Sequence, residues 1–403
     1  MNLYIYWNAG PGRVLWSNLA FANGFYRPLG GLFYLPAYAV AGLNPILYRW
    51  AILILLAVNV VLLFRLARCL GGTERMALIA SLFGALHACM PGLLYSTADI
   101  YDILCRTFCL LSLITYMRGR KVWAIVLMLV AINAKEMAAT LPAFFLLYEV
   151  LYNKRRTFSY SLAALALAAL AMYGKMHGAE AMTANEMYRP TFTLQRWLDN
   201  NASYTNELLY LRLPNPQVIG LWMLMALTCL AVKRREMWWA FGFILLVTVP
   251  TSFIPKRDGS SLYIPLVGWA IWMASLFDWA ASRIRHRYIR WSAFAAVALS
   301  YSWVTEKRFG DKGQLIKSGQ AYTMQPLSQL QSLHETPRHG SRVLFIGSPF
   351  HDGFDMVFLA NLTWNDHSLT IADANVSPDR DPSHYDVVLK FDAAGVIRRA
   401  SAE

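Results

Sequence analysis

Residues 46–66 read ILYRWAILILLAVNVVLLFRL, a nearly uninterrupted apolar run. Its only charged residues are Arg49 and Arg65, and Asn59 is the one strongly polar residue between them. A helix needs about 20 predominantly apolar residues to cross the hydrocarbon core of a bilayer. Residues 46–66 therefore predict a membrane-spanning helix, and comparable runs recur along the chain.

The composition of the whole chain points the same way. Of its 403 residues, 57% are hydrophobic and only 15% are charged, whereas about a quarter of an average soluble domain is charged. The mean hydropathy is +0.35. These values exclude a disordered chain, a collagen and a small disulfide scaffold. They predict an all-α polytopic membrane protein.

Apolar runs along the sequence predict about ten transmembrane helices, some of them short. The predicted spans are 46–66, 76–95, 100–117, 121–133, 137–152, 158–174, 216–232, 237–254, 260–281 and 287–304.

The net charge of +13 is unevenly distributed. Residues 306–403 carry 10 basic and 12 acidic residues, whereas residues 1–305 carry 27 basic and 12 acidic ones. All five cysteines lie in the first part, and none has the spacing of a metal site. We therefore predict three regions: an outer interfacial segment at 1–45, a transmembrane helical domain at 46–305, and a soluble module at 306–403.

The basic residues of the loops predict an orientation rather than a nucleic-acid partner. Dense basic clusters occupy every second loop, as the positive-inside rule requires. This places the loops at 91–99, 133–136, 175–215 and 255–261, together with the C-terminal module, on the outer face. Ten spans also place residues 1–45 outside. Since no helix precedes them and they do not resemble a signal peptide, we expect a first transmembrane helix to be missing. The alternative is a chain whose N-terminus is naturally outside.

The C-terminal module alternates between strand and turn patterns. Strands are predicted at 342–347, 368–372, 385–391 and 396–397, and helices at 326–334 and 354–363. This pattern predicts a small α/β module. His351, Asp352, Asp355 and His367 suggest a metal site, but their spacing fits no standard motif. We expect them to form a solvated surface.

Ionisable residues in a membrane helix are costly and are functional candidates by default. They concentrate at the predicted outer ends of the spans: Arg27, Asp99, Asp102, Lys135, Glu136 and Arg257. Each also has a structural interpretation. Asp99 suits a helix N-cap, Lys135 and Glu136 suit a local ion pair, and Arg257 suits an interfacial anchor.

Carboxylates beside cations at the depth of the lipid phosphates suit one class of reaction. A carboxylate such as Asp102 or Asp99 can accept the proton of an acceptor hydroxyl as a general base. Arginine or lysine can hold the phosphate of an anionic lipid-linked donor and neutralise the leaving group.

Several stretches resemble the membrane GT-C glycosyltransferases, a superfamily that includes protein mannosyltransferase-like and TMTC-like proteins and bacterial relatives. The stretches are Phe25-Tyr-Arg-Pro-Leu29, Gly42-Leu-Asn-Pro45, Phe64-Arg-Leu-Ala-Arg68, Tyr101-Asp-Ile-Leu104, Ala134-Lys-Glu-Met-Ala-Ala-Thr-Leu-Pro142 and Arg257-Asp-Gly-Ser-Ser-Leu-Tyr-Ile-Pro-Leu-Val-Gly268. They come in the family's order and cover about residues 25–305.

The resemblance implies transfer of a sugar from a polyprenyl-phosphate-linked donor to an acceptor on the outer face of a bacterial inner membrane, with inversion at the anomeric carbon. The matching motifs carry over Asp102 as a catalytic residue, and Lys135, Arg257, Tyr263 and Arg27 toward the donor phosphate. Glu136 takes a supporting role, and Asp99 is the alternative base. The resemblance identifies neither the sugar nor the acceptor. It implies no certain cofactor and leaves a divalent cation open.

One departure from the family pattern bears on activity. The family places its main acidic motif in the first outer loop, yet residues 1–73 contain no Asp or Glu. A missing N-terminal piece, an inactive member, or a member that uses Asp99 or Asp102 as base would each account for this. A non-catalytic protein that binds lipid-linked sugar or a partner is therefore the second hypothesis. A transporter for a lipid-linked substrate is the third, and it is disfavoured because the sequence shows no internal repeat.

Overall fold

The computed structural model describes residues 2–87, 91–153, 158–177, 181, 185–257, 259–333, 336–352, 354–392 and 395–399. The basic cluster at 154–156 and Asp258 of the quoted motif lie outside these ranges. The chain is mostly helical, at 72%, with a small C-terminal sheet.

Seventeen α-helices follow one another within the described ranges. They are α1 (Asn2–Ala9), α2 (Pro11–Leu19), α3 (Gly31–Ala41), α4 (Pro45–Cys69), α5 (Glu74–Ala85), α6 (Pro91–Tyr95), α7 (Ile100–Met117), α8 (Lys121–Ala134), α9 (Leu141–Tyr152), α10 (Ser159–Met176), α11 (Leu194–Leu208), α12 (Asn215–Val232), α13 (Arg235–Val247), α14 (Val249–Ser252), α15 (Leu266–Ser282), α16 (Arg287–Ser332) and α17 (Asp355–Trp364). The 3-10 helices cover Pro28–Gly30, Thr97–Asp99, Glu136–Thr140, Glu186–Tyr188, Gly259–Leu262 and Pro382–His384.

Among the residues that the structure describes, three helices are long and apolar enough to cross a membrane. They cover Pro45–Cys69, Thr97–Met117 and Asn215–Val232. All three coincide with predicted spans, and α4 contains the apolar run 46–66. The helices at the remaining predicted spans do not combine this length with this hydropathy, so the total of ten stays a prediction.

Two predicted single helices are in fact broken. The span 76–95 is divided into α5 and the short α6, and the span 237–254 is divided into α13 and α14. Pro91 begins α6 and Pro250 lies at the start of α14. Proline lacks a backbone N–H and tolerates only the first turn of a helix. Both runs are apolar as predicted, but in each of them a second helix begins with a proline in its first turn.

The helix predicted at 287–304 is much longer than expected. It continues as α16 to Ser332 and includes most of the separate helix predicted at 326–334. The loss of apolar character after residue 305 was read as the end of the helix. A change from apolar to polar residues does not by itself interrupt backbone hydrogen bonding.

Contacts within the chain divide it into two compact units. The tail unit comprises Met1–Val14, Gly31–Tyr48 and Gly313–Glu403, and the helical unit comprises Leu15–Gly30 and Arg49–Lys312. Parts of the predicted interfacial segment 1–45 therefore belong to each unit.

The tail unit is built on a four-stranded sheet with the order β2-β1-β3-β4. The strands are β1 (Arg342–Ile346), β2 (Thr370–Asp373), β3 (Val387–Phe391) and β4 (Ile397–Arg399). β1 runs parallel to β2 and β3, whereas β4 is antiparallel to β3. These strands and α17 lie where the sequence predicted them.

Aromatic side chains join α1 to the C-terminal part of the tail unit. The Trp7 indole stacks on the His367 ring with 3.4 Å between centroids, and its Nε1 donates to Asn365 Oδ1 at 2.8 Å. Tyr4 packs on Phe358 at 4.6 Å. His367 stacks on the Trp7 ring and remains exposed, as do His351, Asp352 and Asp355, in agreement with the expected solvated surface.

In the helical unit, α7 packs along α8, and α15 packs against both α5 and α13. Near the C-terminal end of α15, the buried Asp278 carboxylate accepts hydrogen bonds from Thr73, Arg75 and Arg234. This arrangement neutralises a carboxylate that is only 1% exposed.

Candidate functional site

The segment that carries Arg27 is held against two helices of the helical unit. Asn133 Nδ2 in α8 donates to the Asn18 carbonyl at 3.0 Å. Gly174 in α10 lies so close to Ala22 that a Cβ at position 174 would meet the Ala22 carbonyl carbon at 2.5 Å. Any larger residue at position 174 would push this segment away, so a glycine there permits the approach.

Lys135 and Glu136 contact different partners because α8 ends just before Lys135 and the backbone at Lys135 is extended. The helix ends at Ala134, Lys135 takes an extended conformation with φ −158° and ψ 145°, and a 3-10 helix begins at Glu136. The sequence predicted a tight turn here and left open a local pair between the two residues. In the structure, each forms an ion pair with a residue from another part of the chain.

The first ion pair joins Arg27 to Glu136. Arg27 Nη2 lies 3.0 Å from Glu136 Oε2 and 3.3 Å from Oε1, and the two side chains are 15% and 3% exposed. The Tyr26 hydroxyl accepts from Arg27 at 2.7 Å and donates to Glu136 at 3.2 Å. The guanidinium also lies 5.2 Å from the Tyr101 ring centroid, within the range of a cation–π contact.

The second ion pair joins Lys135 to Asp102. Lys135 Nζ donates to Asp102 Oδ1 at 2.6 Å, and both side chains are less than 10% exposed. Asp102 lies in the first turn of α7. The charge of Arg27 also acts on Asp102, so the two ion pairs form one electrostatic cluster. Four of the residues singled out in the sequence therefore come together from three distant stretches.

Asp99 lies nearby in the 3-10 helix before α7 and is more accessible than Asp102. Its Oδ1 accepts from Ser260 Oγ at 2.6 Å. Asp99 holds the N-cap position of α7, but its side chain makes no capping hydrogen bond. A Cβ on Gly92 would meet Asp99 Oδ2 at 2.4 Å, so this carboxylate approaches the backbone of α6 closely. Its side chain is thus oriented by Ser260 and Gly92 rather than by capping.

Arg257 approaches the cluster through Tyr188. Its Nη2 donates to the Met187 carbonyl at 2.9 Å, and its guanidinium lies 4.5 Å from the Tyr188 ring centroid. On the other side, Arg27 Nη2 donates to the Tyr188 hydroxyl at 3.4 Å. Tyr188 therefore contacts both arginines. In the described part of the chain, Arg257 forms no ion pair with a carboxylate.

Tyr263 lies against Arg106 rather than against the ion pairs. Its carbonyl accepts from Arg106 Nη1 at 3.0 Å, and its ring centroid is 3.9 Å from the Arg106 guanidinium carbon. Arg106 lies one turn further along α7 than Asp102. Tyr263 is buried, and the contacts among the described residues do not join it to Arg27, Lys135 or Arg257.

Three further residues belong to the cluster although the sequence did not single them out. They are Tyr26, Lys175 and Tyr188. Lys175 Nζ donates to the Tyr26 carbonyl, and the lysine is 2% exposed. The available signal was a lysine directly after the apolar run 158–174, which was read as the start of an outer loop. Nothing in the local sequence of Tyr188 indicated its contact with Arg27.

The charges of this cluster shift the pKa values of its members. Burial raises the pKa of Glu136, but the charges of Arg27 and Lys135 outweigh burial and hold this pKa at about 2. Burial lowers the pKa of Arg27, but Glu136 and Tyr26 outweigh it and keep the guanidinium protonated. Burial lowers the pKa of Lys175 to about 7, with Arg27 acting in the same direction and Glu136 opposing it.

The arrangement can hold an anion and can accept a proton. Arg27, Lys135, Arg257 and Lys175 supply cationic donors, and Asp99 supplies a partly accessible carboxylate. Within the described ranges, no group of three or more His, Cys, Asp or Glu side chains could hold a metal ion. Comparisons of the chain with family models, curated proteins and solved structures found no match.

Glu136→Gln should lower the free energy of unfolding by about 3–5 kcal/mol, because it leaves the Arg27 charge buried without its partner. The double variant Arg27→Met, Glu136→Met should recover most of this loss, since both charges are removed together. Equilibrium denaturation in detergent measures both effects. The exposed pair Arg189–Glu186, at 3.3 Å, supplies the control: Glu186→Gln should cost less than about 1 kcal/mol. Equal losses for the two single variants would contradict the burial of the Arg27–Glu136 pair.

Lys175 should titrate near pH 7 instead of near its ordinary value of 10.5. Its folded pKa is below its unfolded pKa, so its burial costs stability fully below about pH 7, and this cost diminishes as pH rises toward 10.5. Reductive ¹³C-methylation followed by NMR titration measures this pKa directly, with Lys175→Met to assign the resonance. A midpoint near 10 would show that the amine is solvated.

Proposed function

We propose that this chain is an integral-membrane glycosyltransferase of the GT-C type. It would move a sugar from a polyprenyl-phosphate-linked donor to an acceptor on the outer membrane face. The observation that carries the proposal is the buried cluster of Arg27, Asp102, Lys135 and Glu136. Ionisable residues in an apolar helical protein are costly to bury and typically mark a substrate site.

The cations suit the phosphate of the donor. Arg27 and Lys135 are already paired with carboxylates, whereas Arg257 forms no such pair within the described ranges. Arg257 is therefore the arginine most available to a phosphate, with Arg27 held behind Tyr188. Cations that are already in position when the reaction begins lower its barrier, because they stabilise the departing lipid phosphate without a rearrangement of the site.

The accessible carboxylate suits the acceptor. In the proposed reaction, the acceptor hydroxyl oxygen attacks the anomeric carbon of the sugar while a carboxylate takes the hydroxyl proton. The bond from that carbon to the phosphate oxygen breaks, and its electron pair leaves with the polyprenyl phosphate. Asp99 is more exposed than Asp102 and is the better-placed base. Asp102, buried against Lys135, would position that lysine.

The proposal includes a topology. About ten spans would place the cluster and the C-terminal module on the outer, periplasmic side of a bacterial inner membrane. The distribution of basic residues among the loops supports this orientation, and the bilayer itself then becomes an obligatory partner.

A second function is favoured by one observation. Asp102 is fully engaged by Lys135, and residues 1–73 supply no carboxylate to the cluster. A protein of this kind could bind lipid-linked sugar without transferring it. Donor binding without turnover would identify that function.

Reporter fusions test the topology. Fusions after residues 120, 234 and 286 should report a cytoplasmic location, because each follows a basic loop residue or cluster. A fusion after residue 403 should report a periplasmic location. One external signal among the first three would overturn the orientation on which the proposed site depends.

Asp99→Asn should reduce kcat by about 10²–10⁴-fold with a nearly unchanged donor KM, because it removes the proposed base without removing a phosphate contact. Asp102→Asn should also abolish transfer while the protein still inserts into the membrane. The assay is transfer from a polyprenyl-phosphate-linked sugar in proteoliposomes. Asp199→Asn, an exposed carboxylate in α11, is the matched control. Full turnover in Asp99→Asn would remove Asp99 from the site.

Arg257→Ala should lower kcat/KM by the equivalent of roughly 2–4 kcal/mol if Arg257 pairs with a buried phosphate. Its control is Arg189→Ala, which removes an exposed arginine beside Tyr188. A change for Arg257→Ala of less than about 0.5 kcal/mol, equal to that of the control, would indicate an interfacial anchor instead.

A further inference from the structure

A groove in the helical unit lies between α5, α15 and α16, near the C-terminal end of α15. Its wider part is a cleft of about 480 Å³, lined by residues of all three helices that include Arg75, Ile79, Phe277, Arg290, Trp291 and Phe294. A narrower part shares Ile79, Phe277 and Phe294 with the first and continues along the same helices to Tyr301 and Ser302. The two parts form one continuous groove.

One end of this groove is basic. Arg75 and Arg290 line it together with the Glu74 carboxylate. Arg75 is paired with Asp278 at 2.6 Å, whereas Arg290 forms no ion pair within the described ranges. Residues 283–305 contain four arginines and no Asp or Glu. Among the described residues, Arg290 is therefore the lining arginine that no carboxylate pairs with, whereas Arg75 is held by Asp278.

The rest of the groove is apolar. Its narrow part is lined by Leu82, Phe83, Leu86, Met273, Val297 and Ala298, among others. Along α16, the lining runs from Arg290 to Ser302, a rise of about 18 Å at 1.5 Å per residue. At the far end, Tyr301 donates to the Phe83 carbonyl at 3.0 Å and stacks on its ring. This contact joins α16 to α5 where the groove ends.

Trp291 marks the level at which the groove would lie in a bilayer. It lines the basic end beside Arg290 and is 53% exposed. Exposed tryptophans are enriched at the membrane–water interface, where arginines also contact lipid phosphates. A groove with cations at the interface and apolar walls as long as an acyl chain matches the chemistry of an anionic lipid.

We propose that this groove is a binding site for an anionic phospholipid, whose phosphate contacts Arg290 and whose acyl chain lies along α5, α15 and α16. Basic pockets between membrane helices are known to hold anionic headgroups. The site is distinct from the Arg27–Glu136 cluster, because neither part of the groove is lined by a residue of the two ion pairs. The inference does not depend on the proposed function.

The experiment compares phospholipids of identical acyl chains on the full chain purified in a neutral detergent. Native mass spectrometry and thermal denaturation are followed during titration with phosphatidylglycerol or phosphatidylcholine. Phosphatidylglycerol should remain bound and should raise Tm, and phosphatidylcholine should bind much more weakly. Arg290→Gln should weaken phosphatidylglycerol binding about fivefold, the effect expected of one basic residue at a lipid surface.

Two pairs of variants separate the groove from the rest of the surface. Ala293→Trp fills the cleft and should abolish tight binding, whereas Ala295→Trp, on the other face of α16, should not. Arg285→Gln removes an exposed arginine outside the lining and should leave binding unchanged. If Ala293→Trp fails to fold, Arg290→Gln against Arg285→Gln decides the question.

Four results would overturn the proposal. The first is equal binding of the two phospholipids, which would indicate ordinary annular lipid. The second is an equal loss for Arg285→Gln and Arg290→Gln, which would indicate a diffuse surface charge. Displacement by glycerol 3-phosphate alone would indicate a site for a free anion. A dimer that Ala293→Trp converts to a monomer would indicate that a second copy of the chain fills the groove.

Discussion

The two buried ion pairs, Arg27–Glu136 and Asp102–Lys135, constrain the helical unit more than any other interaction. Removing a charge from water costs several kcal/mol, and only a close partner repays this cost. Each residue of the two pairs is therefore tied to one position in another part of the chain. The pairs fix the start of α7, the break between α8 and α9, and the segment that carries Arg27 relative to one another. A shift of any of these elements would leave a charge unpaired in an apolar surrounding.

The same pairing limits what the cluster can do. A cation that is held by a carboxylate is well positioned but is not free for a ligand, and a carboxylate held by a lysine is a weak proton acceptor. Two other charged residues near the ion pairs are not limited in this way. Arg257 approaches through Tyr188 without a carboxylate of its own in the described ranges, and Asp99 is oriented by a neutral serine. Groups held in ion pairs thus lie near two charged groups, Arg257 and Asp99, that form no ion pair within the described ranges.

The sequence predicted those features that depend on local composition. The bounds of α4, α7, α8 and α12 follow from apolar runs. The strands of the tail unit follow from strand patterns that alternate with turn patterns in the sequence. Arg27, Asp102, Lys135 and Glu136 could be selected because charges are rare in such runs. Their pairing could not be predicted, because Lys135 and Glu136 are adjacent in sequence and only the extended backbone at Lys135 separates their partners. Tyr26, Tyr188 and Lys175 were missed for a related reason: nothing local distinguishes a tyrosine or a terminal lysine that contacts a distant arginine.

Two sites in the helical unit use charge differently. In the pairs Arg27–Glu136 and Asp102–Lys135, the charges are buried and paired, and their exact positions matter. Near Asp278, Arg283 and Arg285 of the α15–α16 connection are exposed. Orientation in a membrane depends only on how many basic residues a loop carries, so any of these arginines could serve it. A lipid site depends on position: Arg290 lines the groove beside Trp291, and Arg285 does not. The number of basic residues in this region and their positions therefore have separate consequences. The number bears on orientation in a membrane, whereas the position determines which arginine lines the groove between α5, α15 and α16.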